Sequence, residues 1–240
     1  PSTINTIEFI TISSTGNATN FGDLSNTAKF PAPMANETRG VFAGGYTPTN
    51  LNTIEFITIA STGDATDFGD MISARNRQSG CSSSTRGLVF GGASPSPSES
   101  VEGMNNIEFI TMASTGNSQD FGDLSVTKFQ NVSVSNATRG VIFGGRTQPN
   151  GDSNNVIDFI TIATLGNATD FGDDSGHVTT AGVSSPTRGV KLGGRTSPAD
   201  VNIIEYVVIA TAGDAIDFGD LTTPCNNHST GGASNGHGGL

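Results

Sequence analysis

Ile54-Glu55-Phe56-Ile57-Thr58-Ile59, then Gly63-Asp64, then Asp67-Phe68-Gly69-Asp70: the chain states this phrase five times. The six-residue run returns at 7–12, 107–112 and 157–162, and loosely at 204–209. Its acids, Glu8, Glu55, Glu108, Asp158 and Glu205, are 47, 53, 50 and 47 residues apart. Phe-Gly-Asp begins at Phe21, Phe68, Phe121, Phe171 and Phe218. A third motif, Thr-Arg-Gly, supplies Arg39, Arg86, Arg139 and Arg188, each leading to a glycine pair at 44–45, 91–92, 144–145 and 193–194. The fifth copy survives only as 235–239. A period near 50 residues signals one supersecondary unit, copied so that neighbours bury each other's faces.

Each copy reads as four antiparallel strands. The Ile-Glu-Phe-Ile-Thr-Ile run is β-branched and aromatic, with apolar residues on both alternation faces, as in a strand covered on both sides. The pairs Gly16-Asn17, Gly63-Asp64, Gly116-Asn117, Gly166-Asn167 and Gly213-Asp214 are expected to make tight hairpin turns. The Phe-Gly-Asp strand follows, then a variable strand such as 30–35 or 130–135, then the short apolar strand that ends in Gly-Gly. No segment holds apolar residues at i, i+3, i+4 and i+7 over two turns, so helices are not expected.

The expected fold is therefore all-β: a five-bladed β-propeller in one domain, residues 1–240, with repeats near 5–51, 52–104, 105–154, 155–201 and 202–240 plus 1–4. The chain enters on a third strand and ends after a second strand. Residues 1–24 and 221–240 are thus expected to share one blade and close the ring, removing both open edges.

Length variation is confined. From each acid to the second glycine of the pair the spacing is 37, 37, 37 and 36 residues, whereas from that glycine to the next acid it is 10, 16, 13 and 11. The loops 46–52, 93–106, 146–156 and 195–202 carry this freedom, all on the face of the inter-blade connections. Insertions gathered on one face point to a surface that meets a partner.

Composition narrows the function. A formal charge of −11 repels phosphate backbones and anionic lipid, so neither nucleic acid nor membrane insertion is expected. No apolar run approaches the roughly 20 residues of a membrane-spanning helix. Cys81 and Cys225 occupy different repeat offsets and lack metal spacing, and are read as free thiols. Residues present in every blade suit the fold better than one active site. The acids are expected to cap hydrogen bonds between strands, and the carboxylates of Asp23, Asp70, Asp123, Asp173 and Asp220 to bond turn N–H groups. Arg39, Arg86, Arg139 and Arg188 are expected to pair with these acids, or else to form a ring that grips a glycan carboxylate or sulfate. The unlike polar residues Arg75, Arg77, Lys128, His177 and His228 map near the inner strands and are the candidate ligand-binding set at the central channel. The histidines have no partnered nucleophile in the sequence, and neither enzyme activity, a cofactor nor a metal is expected. The acids of 64–70 and 214–220, three residues apart, lie on alternating strand positions and would not converge on Ca²⁺. The Asn-x-Ser/Thr triplets at Asn17, Asn36, Asn131, Asn136, Asn167 and Asn227 are read as products of composition.

The Gly-Gly after a short apolar strand, with Arg75 lying 16 residues before Gly91, resembles the kelch family of propellers. The chain departs from that pattern in having phenylalanines where kelch blades carry Tyr and Trp. The wording Ile-Glu-Phe-Ile-Thr-Ile-Ala-Ser-Thr-Gly with Asp-Phe-Gly-Asp resembles repeats in structural and tail-fibre proteins of marine bacteriophages, cyanophages among them. That resemblance implies a virion or extracellular location and a non-enzymatic module that binds a host-surface glycan or receptor. The alternative is a purely structural propeller docking a neighbouring virion protein.

Overall fold

The computed structural model describes residues 4–94, 102–147, 152–196 and 199–225. His228 and the proposed inner strands of the shared blade lie outside them, as do parts of three of the variable loops. Among the described residues every regular element is a strand. An N-terminal pair, β1 (Thr6–Phe9) and β2 (Thr19–Asp23), precedes four antiparallel blades. Blade one holds β3 (Ala32–Ala35), β4 (Arg39–Thr47), β5 (Thr49–Thr58) and β6 (Thr66–Arg75). Blade two holds β7 (Ser79–Ser82), β8 (Arg86–Phe90), the short β9 (Ala93–Ser94), β10 (Glu102–Thr111) and β11 (Gln119–Lys128). Blade three holds β12 (Val132–Ser135), β13 (Arg139–Phe143), the ribbon of β14 (Gly145–Arg146) with β15 (Ser153–Asn154), β16 (Val156–Thr161) and β17 (Thr169–Asp173). Blade four holds β18 (Ala181–Ser184), β19 (Arg188–Thr196), β20 (Ala199–Val208) and β21 (Ile216–Asp220). In each blade the strands pair in chain order, and the innermost strands β3, β7, β12 and β18 follow one another around a common axis. This is a propeller-like, all-β arrangement.

The core lies between blades as three separate slabs. Strand period explains it. On β10, Ile107 and Phe109 face blade three, whereas Ile110, together with Met112 just past the strand, packs with Met34, Val41 and Phe68 of blade one. The acid Glu108 shares the face of Ile110 and so points at the preceding blade.

A second repeated contact locks each pair of blades. Gly63 N–H donates to Phe21 O (2.8 Å) and Ala65 N–H to Asp23 O (2.9 Å), while Asp64 Oδ1 accepts Asp23 N–H (3.0 Å). The same three bonds join 116–118 to Phe68 and Asp70, 166–168 to Phe121 and Asp123, and 213–215 to Phe171 and Asp173. Two expectations change here. The Gly-Asx pair does not make the hairpin turn, which forms just before it through bonds such as Ser61 N–H to Thr58 O (3.1 Å). The pair is instead the docking segment for the neighbouring blade. Among the described residues Asp23, Asp70, Asp123 and Asp173 bond to the docking segment through their backbone, because that strand edge is where the segment must lie.

The repeated arginines also depart from expectation. They stack on the aromatic ring of their own blade, with Arg39 over Phe56 (4.6 Å), Arg86 over Phe109 (4.9 Å), Arg139 over Phe159 (4.9 Å) and Arg188 over Tyr206 (4.6 Å). Three of them then reach forward to a carbonyl of the next blade: Arg39 to Met112 (2.7 Å), Arg86 to Ile162 (2.6 Å) and Arg139 to Ile209 (3.0 Å). A guanidinium held flat on a ring keeps its in-plane donors for such an acceptor. Two of the Asn-x-Thr triplets are turns, in which Asn36 Oδ1 and Asn136 Oδ1 each accept two backbone N–H bonds.

Close approach of backbones makes one glycine of the docking edge decisive. Gly172 has φ +148°, and a Cβ there would lie 2.5 Å from the Gly213 carbonyl oxygen. Gly172→Ala should lower stability by about 3 kcal/mol or more, and Asn167→Ala, which removes only the Asp123 N–H acceptor, by about 1 kcal/mol. Chemical denaturation of the two variants checks both the order and the gap.

Candidate functional site

Three of the sequence-selected polar residues are buried inside the seams rather than on the channel wall. Ala28, Arg75, Lys128 and His177 are equivalent, each directly preceding a residue that bridges to the segment at or just beyond the Gly-Gly of its own blade. From there the side chain points at the acid of the following blade. Arg75 Nη2 lies 2.6 Å from Glu108 Oε1, and Lys128 Nζ 2.8 Å from Asp158 Oδ2. Arg75 also donates to Gly91 O (3.0 Å) and Lys128 to Val156 O (2.7 Å). Burial pulls both cations' pKa values down, and the partner acids oppose that. Such groups answer to folding, since removing one partner leaves an uncompensated buried charge at a cost of roughly 3–5 kcal/mol. The repeated acids also cap the neighbouring blade's chain: Glu55 accepts Ser25 N–H (2.9 Å), Glu108 accepts Ile72 N–H (3.0 Å) and Glu205 accepts Ser175 N–H (3.2 Å). Glu8 is exposed.

The seam between blades three and four is more polar than the others. Lys191 Nζ meets Asp174 Oδ2 at 2.8 Å, both buried, at positions held by Ile142 and Leu124 one blade earlier. Beside them Ser175 Oγ is 2.7 Å from His177 Nδ1, and His177 Nε2 is 3.7 Å from Glu205. His177 therefore does have a serine partner, through a contact that sequence spacing did not suggest. Its ring is fully buried, and burial together with Lys191 pushes its pKa down to about 3. A base that weak removes a serine proton poorly at neutral pH, so the arrangement argues for packing rather than nucleophilic catalysis.

The axial space is a cavity of about 480 Å³, walled by the innermost strands β3, β7, β12 and β18. Gln78 Oε1, Ser79 Oγ and Ser133 Oγ belong to residues on this wall, but the atoms themselves are buried, and among the described residues they have no hydrogen-bond partner. Cys81 also lines it; it is a free thiol whose pKa burial pushes up to about 12. Cys225 is free and half-buried.

At the end of the cavity where the chain enters each inner strand, the backbone is strained. Phe30, Arg77, Gln130 and Thr179 occupy one equivalent position and all adopt φ of 55–60°. Non-glycine residues, and a β-branched threonine above all, pay for this conformation. They form a rim: Gln130 N–H donates to Arg77 O (2.8 Å), and the Arg77 guanidinium lies 5.9 Å from the Phe30 ring. Lys29, Arg146 and Arg195 each take part in a backbone bridge next to one of these strained residues. Arg146 Nε donates to Gln130 Oε1 (2.9 Å), and the charge of Arg146 joins burial in lowering the pKa of Arg77. Of the five candidate ligand-binding residues, Arg77 lies at this end, and Arg146, which sequence reasoning did not select, is joined to it through Gln130. A count of which arginines fall outside the repeated motifs would have found it.

No protein-family model and no curated protein matches the chain. Among solved structures, "Structure of YjhT" superposes with a TM-score of 0.66 over 82% of this chain and 67% of that one, at 10% sequence identity. At that identity the likeness concerns the fold alone.

His177 gives the seam a pH signature. Its folded pKa lies below its ordinary value of 6.5, so its stabilising contribution is complete above pH 6.5 and falls as acid protonates the unfolded chain first. Glu205, held above its ordinary value mainly by burial, acts in the opposite sense and at lower pH. Between pH 7 and 5.5 stability should fall by up to about 1.4 kcal/mol per pH unit, and His177→Gln should flatten that slope. Urea titrations at three pH values read it directly.

Proposed function

We propose that the chain is a closed ring of five blades and works as a non-catalytic binding module on a virion or other extracellular surface, where its channel-mouth face meets a host glycan or receptor. The observation that carries the ring is a pair of complementary half-seams left open among the described residues. Phe218 is 55% exposed, whereas Phe68, Phe121 and Phe171 are 2–3% exposed. Ile12 is 96% exposed, whereas its counterparts Ile59, Met112, Ile162 and Ile209 are 46%, 0%, 3% and 0% exposed. One end thus presents a docking edge at 218–220, and the other presents the docking segment Gly16-Asn17. The link that leaves blade four supports the same reading. Gly194 N–H donates to Cys225 O (2.8 Å), as Gly92 N–H donates to Lys128 O (2.8 Å) where blade two leads into blade three.

The binding role is supported by the restriction of loop-length variation to the channel-mouth face, and the virion setting by the resemblance to phage repeats. The second reading, docking to a neighbouring protein, is favoured by the apolar side chains at the two half-seams. In a closed ring Asn17 caps Asp220 N–H as Asn117 caps Asp70 N–H. Asn17→Ala and Asn117→Ala should then cost the same, about 1 kcal/mol each, in a protein of monomeric mass. A neutral Asn17→Ala would place the half-seams against another molecule. A glycan array probed with the whole chain tests the binding role. A blank array, with a stable complex formed with another virion protein, overturns the glycan reading.

A further inference from the structure

The cations of this acidic chain are unevenly deployed. All 11 lysines and arginines fall within the span from Lys29 to Arg195, so residues 1–24 and 221–240, the two halves of the shared fifth blade, contain none. We infer that the ring carries a latch: it opens reversibly at the seam between blades five and one while the other seams stay shut. The latch rests on the closed-ring reading proposed above and adds to it the place where the ring yields.

The three seams that join blades one to four each hold two cationic ties besides the docking bonds. One is a buried ion pair: Arg75 with Glu108, Lys128 with Asp158, or Lys191 with Asp174. The other is the stacked arginine that reaches a carbonyl of the next blade, from Arg39 to Met112, Arg86 to Ile162 and Arg139 to Ile209. The seam of blades five and one keeps the docking bonds of Gly63, Asp64 and Ala65 to Phe21 and Asp23 but has neither tie. Ala28 stands where Arg75 and Lys128 stand in their blades, opposite a Glu55 as buried as the other seam acids. A buried acid without its cation is the costly case. Blade five also has no arginine to stack on Phe9 or to reach the Ile59 carbonyl, the counterpart of the Met112, Ile162 and Ile209 acceptors. Among the described residues Phe9 and Ile59 are accordingly exposed. The seam of blades four and five is intermediate, because Cys225 takes the cation's position while Arg188 is in place on Tyr206. In a chain of repeats each interface opens with a free energy set by its own contacts. Seams that share the docking bonds are therefore ranked by the charge-assisted ties added to them.

Hydrogen exchange of the whole chain, resolved to single amides, tests the latch. Equivalent amides cross each seam: Gly63 and Ala65, Gly116 and Ser118, Gly166 and Ala168, Gly213 and Ala215. Gly63 and Ala65 should be protected at least tenfold less than the other three pairs. Ala28→Arg, which gives Glu55 the partner that Glu108 has, should raise their protection tenfold or more and leave Gly166 and Ala168 unchanged. Arg75→Ala should lower the protection of Gly116 and Ser118 toward that of Gly63 and Ala65. Equal protection at all four seams of the wild-type chain overturns the inference. So does an inner seam that opens first, or a protection of Gly63 and Ala65 that Ala28→Arg leaves where it was. If Ala28→Arg does not fold, the wild-type comparison and Arg75→Ala decide. Gly16 and Ala18 report separately on closure, since in a closed ring they donate to the carbonyls of Phe218 and Asp220. Without protection there, the closed ring falls and the latch with it; with protection there, a failed ranking removes the latch alone.

Discussion

Between consecutive blades a short peptide, Gly-Asx with the residue after it, lies along the Phe-Gly-Asp edge of the blade before and is fixed by three hydrogen bonds. Most other features of the chain answer to that contact. The edge strand needs glycine because the two backbones come so close. The apolar residues of the third strand divide between its two faces because each blade is covered by a different neighbour on either side. The arginine stacked on its own blade's aromatic ring reaches the same neighbour from the opposite end of the sheet. Backbone groups that would be exposed on a free outer edge are thereby satisfied by the next blade.

The architecture was legible because it is repeated. Five copies of one pattern average away local ambiguity, and strand order followed from where Gly-Gly and Phe-Gly-Asp fall within the unit. The errors came from inter-blade contacts, which no single repeat contains. Gly-Asx next to a strand reads as a turn when its partner lies about 40 residues away in sequence. Arg39 and its equivalents looked like partners for acids because opposite charges recur in every unit. Only the fold shows that the acids face the preceding blade while the arginines reach for the following one. The grouping of Arg77, Gln130 and Arg146 was hidden for a different reason. These residues come from different places in the unit and meet only where inter-blade link and second strand adjoin.

Variation inside the seams has its own logic. At one equivalent position the chain places Ala28, Arg75, Lys128 and His177, and in one seam an apolar pair is exchanged for Lys191 and Asp174. Burying ions brings little net stability. It does make the seams chemically unlike. A blade docked against the wrong neighbour could leave Lys128 without the carboxylate of Asp158, or Lys191 without that of Asp174. Nearly identical repeats would otherwise have many near-equivalent misassembled arrangements.

Each seam joins unlike surfaces, a docking segment on one blade and a docking edge on the other, so it has a direction and no two-fold symmetry. Contacts of that type generate a ring only when the rotation between successive units divides a full circle, and an open helix when it does not. Blade number is therefore written in no individual blade. It resides in the angle that the edge glycines, the inter-blade side chains and the buried pairs together impose. A change of packing volume at the seams would alter that angle while leaving every strand untouched.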